Sequence, residues 1–243
     1  MKLGGIAQVM DFDPYNQLTT DNAQAHNVGE RVYDSDRIFR YAVAGEALAA
    51  GYIATQPTGN TTCTTMAVIS GAIGSKVINF TNAATTTTAG DFDEGYAVIS
   101  YGTGIGQTYK IANMAALVSA ASSYVYLHDP IVVALDTTSK VDLVPNPYMK
   151  VLHTTGVVLH PAGVPLVAVT ASGDYCWLQT RGVCGVFSHA TIPAGSAFHN
   201  DETTAGASEL ALEATLVTSP TTGQAYFLAS AASYAHPVFL TID

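Results

Sequence analysis

The stretch Tyr96–Ile111, which reads YAVISYGTGIGQTYKI, decides the fold class of this chain. Two runs of β-branched and aromatic residues, Tyr96–Tyr101 and Thr108–Ile111, stand on either side of a segment that contains three glycines. Such runs are typical of strands, and glycine supplies the positive φ angles that a tight connection between strands requires. The stretch therefore predicts two strands joined in a β-hairpin.

Similar short runs, bounded by glycine, proline, asparagine or aspartate, continue through most of the chain: Ile38–Tyr41, Tyr124–Leu127, Ile131–Leu135, Gly156–Leu159, Leu166–Val169, Tyr175–Leu178 and Val238–Ile242. Prolines fall at the edges of these runs, where a missing backbone donor removes no ladder hydrogen bond. The pattern predicts an all-β protein with a sandwich or barrel-like body of short antiparallel strands. Ala42–Tyr52 and Ala112–Ser123 are weak candidates for a turn or two of helix, so little helix is expected.

Charged residues are concentrated near the beginning of the sequence, where residues 1–40 hold ten of the 28 charged side chains. The polar segment 11–30 shows no sustained period of two or 3.6 residues, which is typical of a segment ordered by contact with something else. We therefore predict an extended N-terminal arm over residues 1–36 and a β-rich body over residues 37–243. The body is either one domain or two lobes with a boundary near residues 145–156.

The overall composition argues against several classes of partner. Only 12% of the residues are charged, compared with about 25% in average globular proteins, and the formal net charge is −10. Nucleic-acid and anionic-membrane binding both need clustered lysine and arginine, and this chain has nine such residues in total. No stretch approaches the roughly 20 apolar residues of a membrane span, and Met1–Gly5 lacks a signal-peptide layout, so synthesis in a cytoplasm is expected.

The sequence contains no recognisable catalytic or nucleotide-binding motif. The glycines of Gly102–Gln107 do not have the G-x-G-x-x-G spacing, and the residues that follow them predict a strand rather than a helix. No G-x-S-x-G segment is present, and Cys176 and Cys184 lie within strand-like runs. We therefore expect no enzymatic activity and no cofactor.

Metal binding is also not expected, although one acidic segment is the best candidate for it. Asp91, Asp93 and Glu94 stand between Gly90 and Gly95, but they do not continue into a twelve-residue calcium loop. The seven histidines contain no pair at the spacing of a local zinc site, and the three cysteines contain no C-x-x-C pair. We interpret the carboxylates as solvated turn residues and the cysteines as small buried apolar residues.

The single tryptophan, Trp177, allows two interpretations. With Tyr175, Gln179 and Arg181 it could form an exposed platform for a sugar. The simpler interpretation is that Trp177 anchors the core, while Arg181 pairs with a carboxylate or a neighbouring subunit.

Two stretches resemble virion structural proteins of tailed bacteriophages. The first is Asp36–Gly51, DRIFRYAVAGEALAAG, and the second is Gly173–Gly182, GDYCWLQTRG, which is followed by Pro193-Ala194-Gly195. A third segment, Thr138–Tyr148, is similar more loosely. Together they resemble the capsid decoration (cement, head-stabilising) group.

The resemblance implies a β-rich homotrimer on the outer surface of a phage capsid, made in the host cytoplasm and bound to the major capsid protein through its N-terminal arm. It brings no catalytic residues. An alternative role is that of a head fibre or adhesin-type module that binds a host-surface glycan. The residues expected at the capsid or subunit interface are aromatic or charged: Asp11, Phe12, Tyr15, Arg31, Tyr33, Arg37, Phe39, Arg40, Trp177 and Arg181.

Overall fold

The computed structural model describes residues 16–57, 63–82, 86–154, 159–201, 203–211, 221–226 and 234–243. Within these ranges the protein is all-β, with one 3-10 turn at Asn16–Leu18 and no α-helix. The strands, in chain order, are β1 (Thr20–Asp21), β2 (Arg31–Asp34), β3 (Arg37–Val43), β4 (Ala54–Thr55), β5 (Met66–Ser70), β6 (Val77–Thr81), β7 (Tyr96–Tyr101), β8 (Thr108–Met114), β9 (Ser122–Leu127), β10 (Lys140–Val144), β11 (Pro161–Pro165), β12 (Tyr175–Phe187), β13 (Ala197–Asn200), β14 (Ser208–Leu210), β15 (Gly223–Ala225) and β16 (Ala235–Thr241). The predicted fold class is confirmed.

The chain divides into two compact units. The split unit consists of Met1–Pro57 together with Tyr148–Asp243, and the barrel unit consists of Thr58–Pro147, which is inserted between them. One junction, at Pro147–Tyr148, lies inside the range 145–156 given by the sequence for a lobe boundary. The other junction, at Pro57–Thr58, has no counterpart in the sequence prediction.

The barrel unit is a closed antiparallel barrel of six strands in the order β10-β5-β6-β9-β8-β7. Its strands alternate between buried and exposed side chains, and the buried ones form one core that includes Ile78, Phe80, Ile99 and Ile111. Strands β7 and β8 form the predicted hairpin, with Tyr96 opposite Lys110. Gly102, Gly104 and Gly106 all have positive φ in the connection, as that prediction requires.

The split unit is built on the long strand β12. The first half of β12 pairs with β3 and the second half with β16, both antiparallel. Strands β11 and β1 also pair with it, and β15, β13 and β14 extend the sheet beyond β16. A bulge between Gln179 and Arg181 separates the two halves, and Gly182, with a φ of 89°, follows it. Gln179 stabilises the bulge, because its amide nitrogen donates to the main-chain oxygens of Arg181 and Val183 at 2.9 Å each.

Residues 16–36 belong to the split unit and do not form a separate arm. Asp21 pairs with Tyr175, and Val32 pairs with Phe39 in the β2–β3 hairpin. The segment differs from the predicted arm because it contributes an apolar side chain to the core. Val32 packs into the cluster of Phe39, Tyr41 and Trp177. The predicted boundary at residue 36 is therefore wrong for the described part, and residues 1–15 lie outside the described residues.

Two predicted strands and both helix candidates are also wrong. Ile131–Leu135 and Leu166–Val169 are irregular segments that each end in a single β-bridge, at Leu135 and Val169. Ala42–Tyr52 begins as the end of β3, and Ala112–Ser123 runs from the end of β8 through a loop into β9. In these places the presence or absence of a neighbouring strand to pair with outweighs local propensity. The predicted run Gly156–Leu159 lies almost entirely outside the described residues.

None of the helical structure in the described ranges is long and apolar enough to cross a membrane.

Candidate interface

All four arginines of the sequence lie on three neighbouring strands of the split unit. Arg31 is on β2, Arg37 and Arg40 are on β3, and Arg181 is on β12. The register places Arg31 directly opposite Arg40, and Arg181 opposite both Ile38 and Thr241. In a chain with nine lysine and arginine residues in total, this arrangement places four of the nine on one part of one sheet.

Asp243 brings three of these arginines together. The guanidinium group of Arg40 donates two hydrogen bonds to the Asp243 carboxylate, at 2.7 and 3.0 Å. The Nε atom of Arg31 lies 3.8 Å from the same carboxylate, and Arg181 donates to the main-chain oxygen of Asp243 at 3.1 Å. The strands β2, β3 and β12 are thus linked to Asp243, which lies two residues beyond the end of β16.

The electrostatics of this group follow from these contacts. The hydrogen bond to Asp243 raises the pKa of Arg40, although partial burial opposes the shift. The hydrogen bond from Arg40 lowers the pKa of Asp243, again against partial burial. Both side chains are therefore charged at neutral pH, and their mutual attraction fixes the geometry of the group.

Aromatic rings accompany the arginines. The guanidinium carbon of Arg31 lies 4.9 Å from the centre of the Tyr33 ring, and that of Arg40 lies 5.5 Å from the Tyr148 ring. Tyr33 is 57% exposed. Arginine and tyrosine are enriched at protein interfaces, and a cation over an aromatic face adds to the attraction. We call Arg31, Tyr33, Arg40, Tyr148, Arg181 and Asp243 the arginine–tyrosine patch.

Seven of the predicted interface residues lie on β2, β3 and β12, and five of these are at least partly exposed: Arg31, Tyr33, Arg37, Arg40 and Arg181. Arg37 pairs with Asp34 across the β2–β3 turn, and its guanidinium carbon lies 5.4 Å from the Phe39 ring. Asp11, Phe12 and Tyr15 lie outside the described residues.

Two predicted interface residues, Phe39 and Trp177, are core residues. Phe39 is 0% exposed and Trp177 is 2% exposed, and both pack in one cluster with Tyr41. The Trp177 ring lies 5.0 Å from the Tyr41 ring and 5.1 Å from the His26 ring. Their placement at the interface is therefore wrong, because Phe39 and Trp177 lie with Val32 and Tyr41 in one buried cluster on the paired strands β2, β3 and β12. The sugar platform that includes Trp177 is wrong for the same reason, and Gln179 is also buried.

The acidic segment at residues 91–94 does not gather its carboxylates around one point. Asp91 accepts a hydrogen bond from the Thr88 amide, and Asp93 accepts one from the Met114 amide, both at 2.8 Å. Glu94 contacts His128 at 3.0 Å. No group of three metal-ligating side chains occurs anywhere in the described ranges.

The three cysteines are buried free thiols. Burial raises the pKa of Cys176 to about 12 and that of Cys184 also to about 12. It raises the pKa of Cys63 as well. A neutral buried thiol is a poor nucleophile, so these cysteines act in packing.

A histidine–aspartate pair near β13 has no counterpart in the sequence prediction. The Nδ1 atom of His189 lies 2.8 Å from Asp201, whose other carboxylate oxygen accepts hydrogen bonds from the Thr203 and Thr204 amides. Burial alone would raise the pKa of Asp201, but these hydrogen bonds and His189 together lower it. Among the described residues, no serine, threonine or cysteine hydrogen-bonds to the His189 ring, so none of them completes a catalytic triad with this pair.

Two exposed tyrosines on the barrel unit also have no counterpart among the site residues predicted from the sequence. Tyr124 is 49% exposed and Tyr126 is 44% exposed, and both point outward from β9. The signal was present in the sequence, because residues two apart on a strand share a face. The sequence could not show whether the face that carries these tyrosines is buried or exposed, because that depends on the register of the strands.

Comparison of the chain with protein-family models, with curated proteins and with solved structures finds no match.

Proposed function

We propose that this protein is a decoration protein that binds the outer surface of a tailed-phage capsid and stabilises the capsid lattice. One observation carries the proposal. The two stretches that resemble phage virion proteins, Asp36–Gly51 and Gly173–Gly182, supply the paired strands β3 and β12, with Arg40 opposite Leu178 and Val43 opposite Tyr175. The same two stretches also supply three of the four arginines.

The chemistry of the arginine–tyrosine patch supports a protein partner. The net charge of −10 opposes binding to nucleic acid, so neutralisation of nucleic-acid phosphates does not explain the arginines. Arginine and tyrosine form the energetic centres of many protein interfaces, where their planar groups contact main-chain and aromatic atoms. The proposed partners are the major capsid protein and further copies of this chain in a homotrimer.

A co-sedimentation experiment tests the proposal. The purified chain is mixed with expanded heads that lack it, assembled from the major capsid protein of the same genome. We expect the chain to sediment with the heads at saturable stoichiometry. If it stays in the supernatant at micromolar concentrations, the decoration role is wrong.

Substitution in the patch tests the location of the interface. We expect the double variant Arg31→Ala, Tyr33→Ala to bind the heads at least about tenfold more weakly, because interface arginines and tyrosines often contribute more than 1 kcal/mol each. The matched control is Tyr101→Ala, which removes a tyrosine that is 64% exposed on the barrel unit. Equal binding by the double variant and the control would place the interface elsewhere.

Two measurements test the trimer and the stabilising role. Light scattering should give a mass three times the 25.3 kDa of one chain. Heads that carry the protein should release DNA at a higher temperature than bare heads, because a ligand that binds only the assembled lattice stabilises it by mass action. Equal release temperatures would contradict a cementing role.

A further inference from the structure

The barrel unit presents an uncharged aromatic surface that is separate from the arginine–tyrosine patch. Tyr124 and Tyr126 point outward from β9, and Val118, in the loop before β9, is 62% exposed. A shallow depression beside them is lined by the small residues Ala115, Ala116, Ala121 and Ser123. We call Val118, Ser122, Tyr124 and Tyr126, together with Asn79 and Asn113, the tyrosine face.

Amide and hydroxyl groups lie beside the two rings. Asn79 is directly opposite Tyr124 on β6, and Asn113 is directly opposite Tyr126 on β8. The Ser122 hydroxyl donates to Asn79 Oδ1 at 2.8 Å, so the amide NH₂ group of Asn79 keeps its donors. Asn113 is exposed, and its side chain hydrogen-bonds to none of the described residues.

The loop that carries Val118 is held in place before any ligand binds. The buried Asn82 donates from its side chain to the Val118 carbonyl at 2.8 Å and from its main chain to the Ala121 carbonyl at 2.9 Å. The amide of Leu117 donates to the Thr87 hydroxyl at 3.1 Å, and the Leu117 side chain is buried. Little ordering entropy is therefore lost on binding, which favours a small ligand.

We propose that the tyrosine face is a binding site for a neutral oligosaccharide. A sugar ring has an apolar face of C–H groups that stacks on tyrosine and a rim of hydroxyl groups that hydrogen-bond to amides and serine. The two tyrosines, the two asparagines and Ser122 offer this combination on one face.

Charge supports a neutral ligand. All six residues of the tyrosine face are uncharged, although the chain as a whole carries −10. An acidic polysaccharide would be repelled by the overall charge and would find no arginine or lysine within this face to pair with. A basic partner would find no carboxylate there. The surface therefore complements a ligand without charge.

The size of the surface favours a sugar over a second protein. Two half-exposed tyrosines, at about 200 Å² for a whole side chain, and one valine leave about 300 Å² of apolar area. A stable protein interface buries about 800 Å² on each partner, of which somewhat more than half, about 450 Å², is apolar. The apolar area is thus too small for a stable dimer and sufficient for a few sugar units.

Affinity electrophoresis in native gels tests the proposal. Each gel contains one carbohydrate. Laminarin, mannan, dextran and soluble chitin oligomers free of chitosan are the neutral ones, and dextran sulfate is the charged counterpart. We expect at least one neutral polymer to retard the protein, and the double variant Tyr124→Ala, Tyr126→Ala to lose the retardation. Tyr101→Ala, on a different strand of the same barrel, should be retarded as strongly as the unchanged protein. Circular dichroism checks that each variant is folded.

A milder variant guards against loss of folding. Asn113→Ala removes an exposed amide and should weaken the retarding interaction about three- to tenfold without changing thermal stability. No retardation in any neutral polymer, retardation in dextran sulfate alone, or full retardation of the double tyrosine variant would each overturn the proposal. A change of oligomeric state in the double variant would instead identify the face as a contact between copies. Capsid binding through the arginine–tyrosine patch is measured separately and does not depend on these results.

Discussion

Arg40 and Asp243 form a two-point ion pair that joins β3 to a residue two positions beyond the end of β16, although 203 positions separate the pair in the sequence. Each side chain retains only 21% exposure. Two parallel hydrogen bonds between a guanidinium and a carboxylate are among the stronger polar contacts in proteins. The pair therefore contributes to the stability of the split unit as well as to the shape of the arginine–tyrosine patch.

Replacing the Asp243 carboxylate should destabilise the protein in a pH-dependent way. We expect Asp243→Asn to lower the free energy of unfolding by roughly 1–2 kcal/mol at pH 7. The pKa of Asp243 is lowered in the folded state, so its contribution is present above the unfolded pKa of about 3.9 and is lost as the pH falls through the folded value. The difference between variant and unchanged protein should therefore shrink on acidification below about pH 4.

Urea unfolding between pH 7 and pH 2.5 measures this difference. Asp129→Asn is the matched control, since Asp129 is exposed and should change stability by less than about 0.5 kcal/mol. A destabilisation by Asp243→Asn that stays constant down to the lowest pH would contradict the ion-pair explanation.

Two glycines of the β7–β8 connection should respond differently to the same substitution. Gly102 and Gly106 have φ angles of 76° and 88°, so alanine is strained at both. A Cβ atom at Gly102 would collide with the main-chain oxygen of Thr138, whereas one at Gly106 would meet nothing within 4 Å. We expect Gly106→Ala to cost about 1 kcal/mol and Gly102→Ala to cost at least about 2 kcal/mol more, as measured by thermal unfolding. Equal costs would show that the Thr138 segment moves freely.

The barrel unit should fold when it is produced alone. Its six strands close on themselves without a free edge, and its core contains residues of this unit only. We therefore expect the fragment 58–147 to give a dispersed NMR spectrum and a cooperative thermal transition. A fragment that remains unfolded would show that the barrel depends on the rest of the chain.

The three cysteines should be unreactive in the folded protein. They are 0%, 1% and 4% exposed, and burial raises the pKa of each thiol. We expect a thiol reagent at pH 8 to modify none of them until denaturant is added, after which all three react. Rapid modification of one thiol in the native protein would contradict its burial.

The sequence predicts the fold class and the β7–β8 hairpin because these depend on local patterns. The alternation of Tyr96–Tyr101 and the glycines after it act over a few residues, and the structure follows them. Ile131–Leu135 has the same kind of composition but is no strand, since Val132 and Val133 are exposed and have no partner strand beside them in the described part. Composition cannot supply the missing partner.

The arrangement of the arginine–tyrosine patch could not be predicted from the sequence for a similar reason. Arg31, Arg40 and Arg181 can be selected from the sequence because arginine is rare in this chain. Their common contact with Asp243, however, depends on the pairing of β3, β12 and β16. The burial of Trp177 depends on the pairing of β12 with β3, which places Tyr41 directly opposite it. Both are long-range relationships that no single-sequence pattern contains.

The insertion of the barrel between the two parts of the split unit imposes an order on folding during synthesis. Every strand of the barrel has been made before β12 leaves the ribosome, and all of its pairings lie within residues 58–147. Strand β3 instead cannot pair until β12 has been synthesised, and the second half of β12 cannot pair until β16 has been synthesised. Because contacts between distant segments form slowly, we expect the barrel to fold early on the growing chain. The sheet that carries the four arginines is then the last part of the molecule to be completed.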